Sequence, residues 1–213
     1  MTSNKSPDWA SKYRPLKFEE VILPKHLEDS LRAVSSKGGG MSLLFYGSPG
    51  CGKTTVAKLI NPDNTYYINC TLNRSIDLIR DLERVCSTVN VYGERRLILF
   101  DEADFLSKDA QAGLRGFVEQ FDASNDFIMT ANYPDRLMGA IKSRFLPVNF
   151  DLINSEQTRA RVMKRLKNIS SLEGYSAVPE PQLRAIVGDC FPDIRQMLKR
   201  LQFELQSKGS NND

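Results

Sequence analysis

With 213 residues, a hydrophobic share of 41% and a charged share of 26%, the chain is long enough to bury a core and has an ordinary globular composition, so disorder is excluded as the default reading. A net charge of +3 is too small to mark the whole surface as nucleic-acid binding, so any such contact is expected to be local. No apolar run approaches the roughly 20 residues of a membrane span, the amino-terminal MTSNKSPDWASKYRP has no signal-peptide core, and Cys51, Cys70, Cys86 and Cys190 form no CxxC pair. The expectation is a cytoplasmic protein with reduced thiols, no membrane partner and neither a zinc site nor a disulfide framework.

An opening helix-like segment ends at Gly38, Gly39 and Gly40, and Met41 to Tyr46 then reads as a buried strand. Further apolar runs of strand length follow at residues 65–70, 96–100, 126–131 and 146–150, each preceded by a helix-type segment. That alternation predicts an α/β fold, a five-stranded parallel sheet covered on both faces. Two of the helices carry apolar stripes: Ile76, Ile79, Leu82, Val85 and Val89 in one, Ala110, Leu114, Phe117, Val118 and Phe121 in the other. After Phe150 the pattern is helical only, with helices expected at about 155–172, after Pro181 and at about 192–205. The expected division is an α/β domain over residues 1–151, a small all-helical domain over 152–206 and a polar, frayed tail over 207–213.

GSPGCGKT, Gly47 to Thr54, matches the GxxxxGK[ST] pattern between a strand and a helix beginning near Lys53. Glycines leave backbone N–H groups free to wrap phosphates, the helix start adds a favourable dipole, and Lys53 brings a mobile positive charge. The Thr54 hydroxyl can ligate Mg²⁺. LILFDEAD then supplies an apolar strand ending in adjacent carboxylates: Asp101 for the Mg²⁺ shell, and Glu102 to polarise an attacking water. TAN, ending at Asn132, places an uncharged amide at the same sheet edge, able to hold water or a γ-phosphate.

Together these residues resemble the AAA+ clamp loader ATPases, the subunits of replication factor C and the large clamp loader subunit of T4-like phages. Matching segments run in the family's order from Tyr13 to about Leu201. The resemblance implies ATP and Mg²⁺ as cofactors, with the nucleotide held by Tyr13, Arg14 and Pro15 at the adenine and by Gly47, Ser48, Pro49, Gly50, Cys51, Gly52, Lys53, Thr54 and Thr55 at the phosphates. It implies that Arg144, in IKSRFLPVNF, reaches the γ-phosphate held by a neighbouring subunit, although Phe145 stands where the family usually has cysteine. It makes FPDIRQMLKRLQ a sensor 2 helix in a lid, with Arg195 reaching the nucleotide. The implied partners are primer–template DNA, a sliding clamp and other subunits of a ring-like assembly, in a host cytoplasm if the source is viral. Arg74, Ser75, Lys108, Gln111 and Arg115 are the candidate DNA contacts, while the basic face of Arg159, Arg161, Lys164, Arg165 and Lys167 reads as a solvated helix face or a subunit contact. Family members normally continue into a helical collar, which these residues do not include.

The letters DEAD do not make this a helicase of that name, because the distance from the glycine loop is short and no room remains for a second helicase core. Two competing readings stay open: another AAA+ motor of the branch-migration type, and a non-catalytic nucleotide-binding scaffold subunit.

Overall fold

The structure is a computed structural model that describes residues 8–37, 40–87, 95–151, 155–175 and 178–209. In chain order its elements are α1 (Trp9–Lys12), α2 (Lys25–Lys37), β1 (Ser42–Tyr46), α3 (Lys53–Ile60), β2 (Thr65–Asn69), α4 (Asp77–Ser87), β3 (Arg96–Asp101), α5 (Lys108–Phe121), β4 (Asn125–Ala131), α6 (Gly139–Lys142), β5 (Leu146–Asn149), α7 (Glu156–Leu172), α8 (Glu180–Cys190) and α9 (Ile194–Gly209). They divide into two compact units, Lys25–Gly47 with Lys53–Phe150, and Met1–Pro24 with Ser48–Gly52 and Asp151–Asp213.

The first unit is a parallel sheet in the order β2-β3-β4-β1-β5. β3 and β4 are nearly continuous apolar runs because both faces of the central strands are covered. Phe45, Ile98, Leu99, Phe100 and Phe127 are each 0% exposed. α5 starts where Ser107 caps it, its hydroxyl oxygen accepting from the Ala110 N–H at 3.1 Å, and it buries Ala110, Leu114, Phe117 and Val118 against the sheet. In α4, Ile79, Leu82 and Cys86 face inward and Ile76 lies just before the helix; Val89 falls outside the described residues.

The two edge strands are less covered than the central ones. β5 is largely exposed, with Leu146 at 54%, and Phe150 is buried just beyond it, its ring 4.6 Å from that of Phe45. β2, at the other edge, exposes Tyr66 and Tyr67. An edge strand has one neighbour, so side chains on it are covered only where a helix reaches over them.

The second unit packs α7, α8 and α9 around Val162, Leu166, Ile169, Leu183, Ile186, Val187, Met197 and Leu201. Trp9 and Ile22 join this core, so residues 8–24, expected in the α/β domain, belong with the helices. Two arginines of the basic face expected to be solvated on α7 hold that segment. Arg161 donates to the Leu23 carbonyl at 2.7 Å, and Arg165 to the carbonyls of Glu20 at 2.7 Å and Tyr13 at 2.8 Å. α8 begins at Glu180, before Pro181 instead of after it, because proline suits a first helical turn. α9 starts two residues later than the expected Pro192 and continues to Gly209, through part of the tail expected to fray. No helix among the described residues is long and apolar enough to cross a membrane.

Candidate nucleotide-binding site

The carboxyl ends of β1, β3 and β4 come to one edge of the sheet, since Tyr46 pairs with Ala131 and Phe100 with Met129. β1 lies between β4 and β5 although the chain leaves it for β2, and such a switch in strand order opens a crevice at this edge. The glycine loop leaves β1 there, and α3 begins at Lys53. Gly50 and Gly52 hold φ of +73° and +101°, a region where a Cβ is strained. At Gly50 a Cβ would also lie 1.9 Å from Oδ1 of Asp193, the carboxylate that accepts from the Gln196 N–H at the start of α9.

Lys53 is 7% exposed, and its ammonium donates to the Gly47 carbonyl at 2.7 Å and to Oδ1 of Asn132 at 2.9 Å. Asp101, at the end of β3, accepts from the Thr54 and Thr130 hydroxyls through Oδ1, both at 2.6 Å, and from the Tyr67 hydroxyl through Oδ2 at 2.9 Å. Glu102 stands in the left-handed region, with φ 58° and ψ 47°, and its backbone N–H donates to Thr130 Oγ1 at 2.9 Å. Among the described residues it is the only non-glycine with positive φ. Strain of this kind persists where surrounding contacts over-determine it, and it clusters at active sites and ligand clamps.

The donors fit a hard cation. A hydroxyl and a carboxylate, oxygen to oxygen at 2.6 Å, form an all-oxygen set of the sort Mg²⁺ takes. The surroundings are electronegative as well. Burial first, then the carboxylates of Asp101, Asp104 and Glu102, push the Cys70 thiol from 9.0 up to about 12, so it stays a neutral thiol at physiological pH. Asp104 is 5% exposed; Oδ2 accepts from the Tyr133 N–H, and Oδ1 has no partner among the described residues.

The other expected site residues are distributed as follows. The Tyr13 hydroxyl is bound to Glu173 Oε1 at 2.5 Å, and hydrogen bonds from Lys12 and then Tyr13 hold that carboxyl below its usual range. Arg14 is exposed and Pro15 half-buried in the same segment. Ser48 donates to Asp151 Oδ1 through both its N–H and its hydroxyl, Pro49 is exposed, Cys51 buried and Thr55 half-buried. Arg195 is exposed on α9. Arg144 follows α6 and is not part of the Lys53 and Asp101 cluster: its guanidinium is paired with Glu119 and donates to the Ala140 carbonyl at 2.7 Å. Phe145, the departure from the family's cysteine, is 3% exposed in the sheet core.

Arg74, Ser75, Lys108 and Arg115 are exposed, with the Arg74 guanidinium 5.3 Å from the Phe105 ring centre. Gln111 is not a surface contact. It is 3% exposed, its amide donates to the carbonyls of Leu106 and Arg136, and its oxygen accepts from the Met138 N–H. It sits at the edge of the buried stripe of α5 and ties that helix to the turn after β4.

Sequence reasoning missed Thr130, whose signal is a hydroxyl inside the otherwise apolar run FIMTA, residues 127–131. Thr130→Val keeps the shape but leaves Asp101 one hydroxyl short and the Glu102 N–H without this acceptor. A loss of about 1–3 kcal/mol in unfolding free energy is expected by urea denaturation; an unchanged midpoint at unchanged slope would contradict the bridge.

A glycine loop leading into a lysine-headed helix, beside a strand that ends in a paired aspartate and glutamate, defines a P-loop nucleotide-binding protein. Residues 43–150 match the ATPase family associated with various cellular activities (AAA), and the chain belongs to that family. Replication factor C small subunit 2 of Pyrobaculum islandicum is 31% identical over 204 residues, covering 91% of this chain and 62% of the relative. The corresponding small subunit of Staphylothermus marinus is 32% identical, covering 91% of this chain and 60% of the relative. The chain therefore spans about three fifths of the length of these relatives. Among solved structures, the Holliday junction branch migration motor RuvB of Thermotoga maritima has a TM-score of 0.72 at 19% identity, covering 89% of this chain and 64% of that one, a likeness of fold alone.

Proposed function

We propose that this chain is the ATP-hydrolysing part of a DNA sliding-clamp loader subunit. The observation that carries the reading is the similarity to replication factor C small subunits across 91% of the chain, with the Lys53, Thr54, Asp101 and Glu102 set complete. That complete set weighs against a scaffold that binds nucleotide without turning it over.

In this reading Lys53 exchanges its contacts with Gly47 and Asn132 for phosphate oxygens, and the freed Asn132 amide holds the γ-phosphate or the attacking water. Thr54 and Asp101 would hold Mg²⁺, which offsets phosphate charge when bound. Glu102 orients and polarises the water. Tyr13, Arg14 and Pro15 border the base, and Arg195 senses the γ-phosphate from the helical lid. Arg144 serves the site of the neighbouring subunit, which requires it to leave Glu119.

Arg74, Ser75, Lys108 and Arg115 follow the phosphates of primer–template duplex. Such contacts carry no base sequence, so recognition is by shape and weakens steeply with salt. ATP occupancy favours a spiral of subunits that grips clamp and DNA, and hydrolysis releases the closed clamp. The reading is tested by phosphate release with clamp and primer–template added separately and together. Synergistic stimulation that fades as salt is raised is expected, and turnover indifferent to both would set the clamp-loading role aside.

A further inference from the structure

We propose that Tyr67 is a positioning residue for the Mg²⁺ site, its phenol hydroxyl fixing the plane of the Asp101 carboxylate. The inference rests on the reading of Thr54 and Asp101 as the Mg²⁺ pair. Neither the glycine loop nor the carboxylate motif contains Tyr67, which stands on edge strand β2, paired with Leu99 and two residues before the Asn69 and Asp101 pair. From there a tyrosine is long enough to reach forward to the end of β3, and its hydroxyl donates to Asp101 Oδ2 at 2.9 Å.

The two carboxylate oxygens have different duties. Oδ1 accepts from both Thr54 and Thr130, which fills its two lone pairs. Oδ2 accepts from Tyr67 and retains one lone pair, the one available to a metal ion or to water bound on it. A turn of the carboxylate about its bond to Cβ moves both oxygens, so the third hydrogen bond, from a different strand, stiffens against rotation a group that Thr54 and Thr130 hold at Oδ1 alone. Outer partners that orient a metal-binding carboxylate in this way set affinity for the metal.

A second contact supports the assignment. The Lys58 ammonium lies 3.9 Å from the centre of the Tyr67 ring. Lys58 is four residues after Thr54 on α3, so both lie on the same face, and the helix that presents the Thr54 hydroxyl also clamps the tyrosine. Tyr67 is 42% exposed, so hydrophobic burial is a minor reason for a tyrosine here. The hydroxyl distinguishes it from phenylalanine.

Tyr67→Phe removes that hydroxyl and keeps the ring under Lys58. Binding of a fluorescent ATP analogue is measured in EDTA and then across a Mg²⁺ titration, with Lys53→Ala as the control for the nucleotide site and thermal unfolding as the control for the fold. The expected result is equal binding in EDTA and a Mg²⁺ concentration for half-maximal effect raised about 3- to 10-fold, at or below the low end of outer-partner effects because the tyrosine is partly exposed. Lys58→Met should shift the titration in the same direction by less. Superimposable Mg²⁺ titrations would overturn the assignment, and so would equal weakening with and without Mg²⁺, which marks a general structural defect. If Lys53→Ala binds the analogue as well as the unaltered chain does, the nucleotide-site reading fails, and the role of Tyr67 fails with it.

Discussion

Lys53→Ala should lower ATP affinity by roughly 10- to 10²-fold, since a buried charge-assisted contact to phosphate is worth about 1.5–3 kcal/mol. Lys53 is 7% exposed and already engaged by Gly47 and Asn132, so its ammonium is held near where the glycine loop would present a phosphate. Alanine removes the charge and leaves the Gly47 carbonyl and the Asn132 amide without this donor. A drop in unfolding free energy of about 1–3 kcal/mol should accompany the loss of binding. Isothermal titration with ATP and Mg²⁺ reads the first effect and urea denaturation the second. Affinity within threefold of the unaltered chain would place the phosphates elsewhere.

Arg144→Ala should have the opposite profile, with ATP affinity kept and turnover in the assembled state reduced by on the order of 10³ to 10⁵, the range for an arginine supplied in trans. The fold should change modestly: Arg144 is 21% and Glu119 53% exposed, the half-exposed ion pair contributes about 0–1 kcal/mol, and the hydrogen bond to the Ala140 carbonyl is lost with it. The decisive comparison mixes Arg144→Ala with Lys53→Ala. Each is inactive alone, but a mixed assembly contains sites that combine an intact Lys53 from one subunit with an intact Arg144 from the other. Restored turnover on mixing is expected, and full turnover by Arg144→Ala alone would contradict the trans role.

The glycine loop, the acidic pair and Asn132 were legible because each is a short contiguous pattern at the end of an apolar strand. The central strands were legible for a related reason: Leu97 to Phe100 and Phe127 to Met129 are apolar throughout, as a strand buried on both faces must be. Roles set by pairing between distant segments were not legible. Thr130 and Tyr67 act on Asp101 from neighbouring strands, and only the order β2-β3-β4 brings the three together. Arg161 and Arg165 look like solvated charges on α7 until the carbonyls of Tyr13, Glu20 and Leu23 are seen to receive them. Gln111 lies where a helical stripe changes from buried to exposed, a border that periodicity locates only to within a residue. The sequence likewise contains nothing that marks Glu119 as the residue holding Arg144.

The most direct test of the central claim is ATP turnover by this chain beside Glu102→Gln, each alone and with sliding clamp and primer–template duplex. Glu102 stands in the left-handed region next to the Asp101 cluster, so glutamine keeps the backbone and the size of the side chain while removing the charge proposed to polarise water. The account predicts turnover that clamp and duplex raise together, and a Glu102→Gln variant that binds ATP but releases no phosphate above background. Equal phosphate release by the two proteins would contradict it.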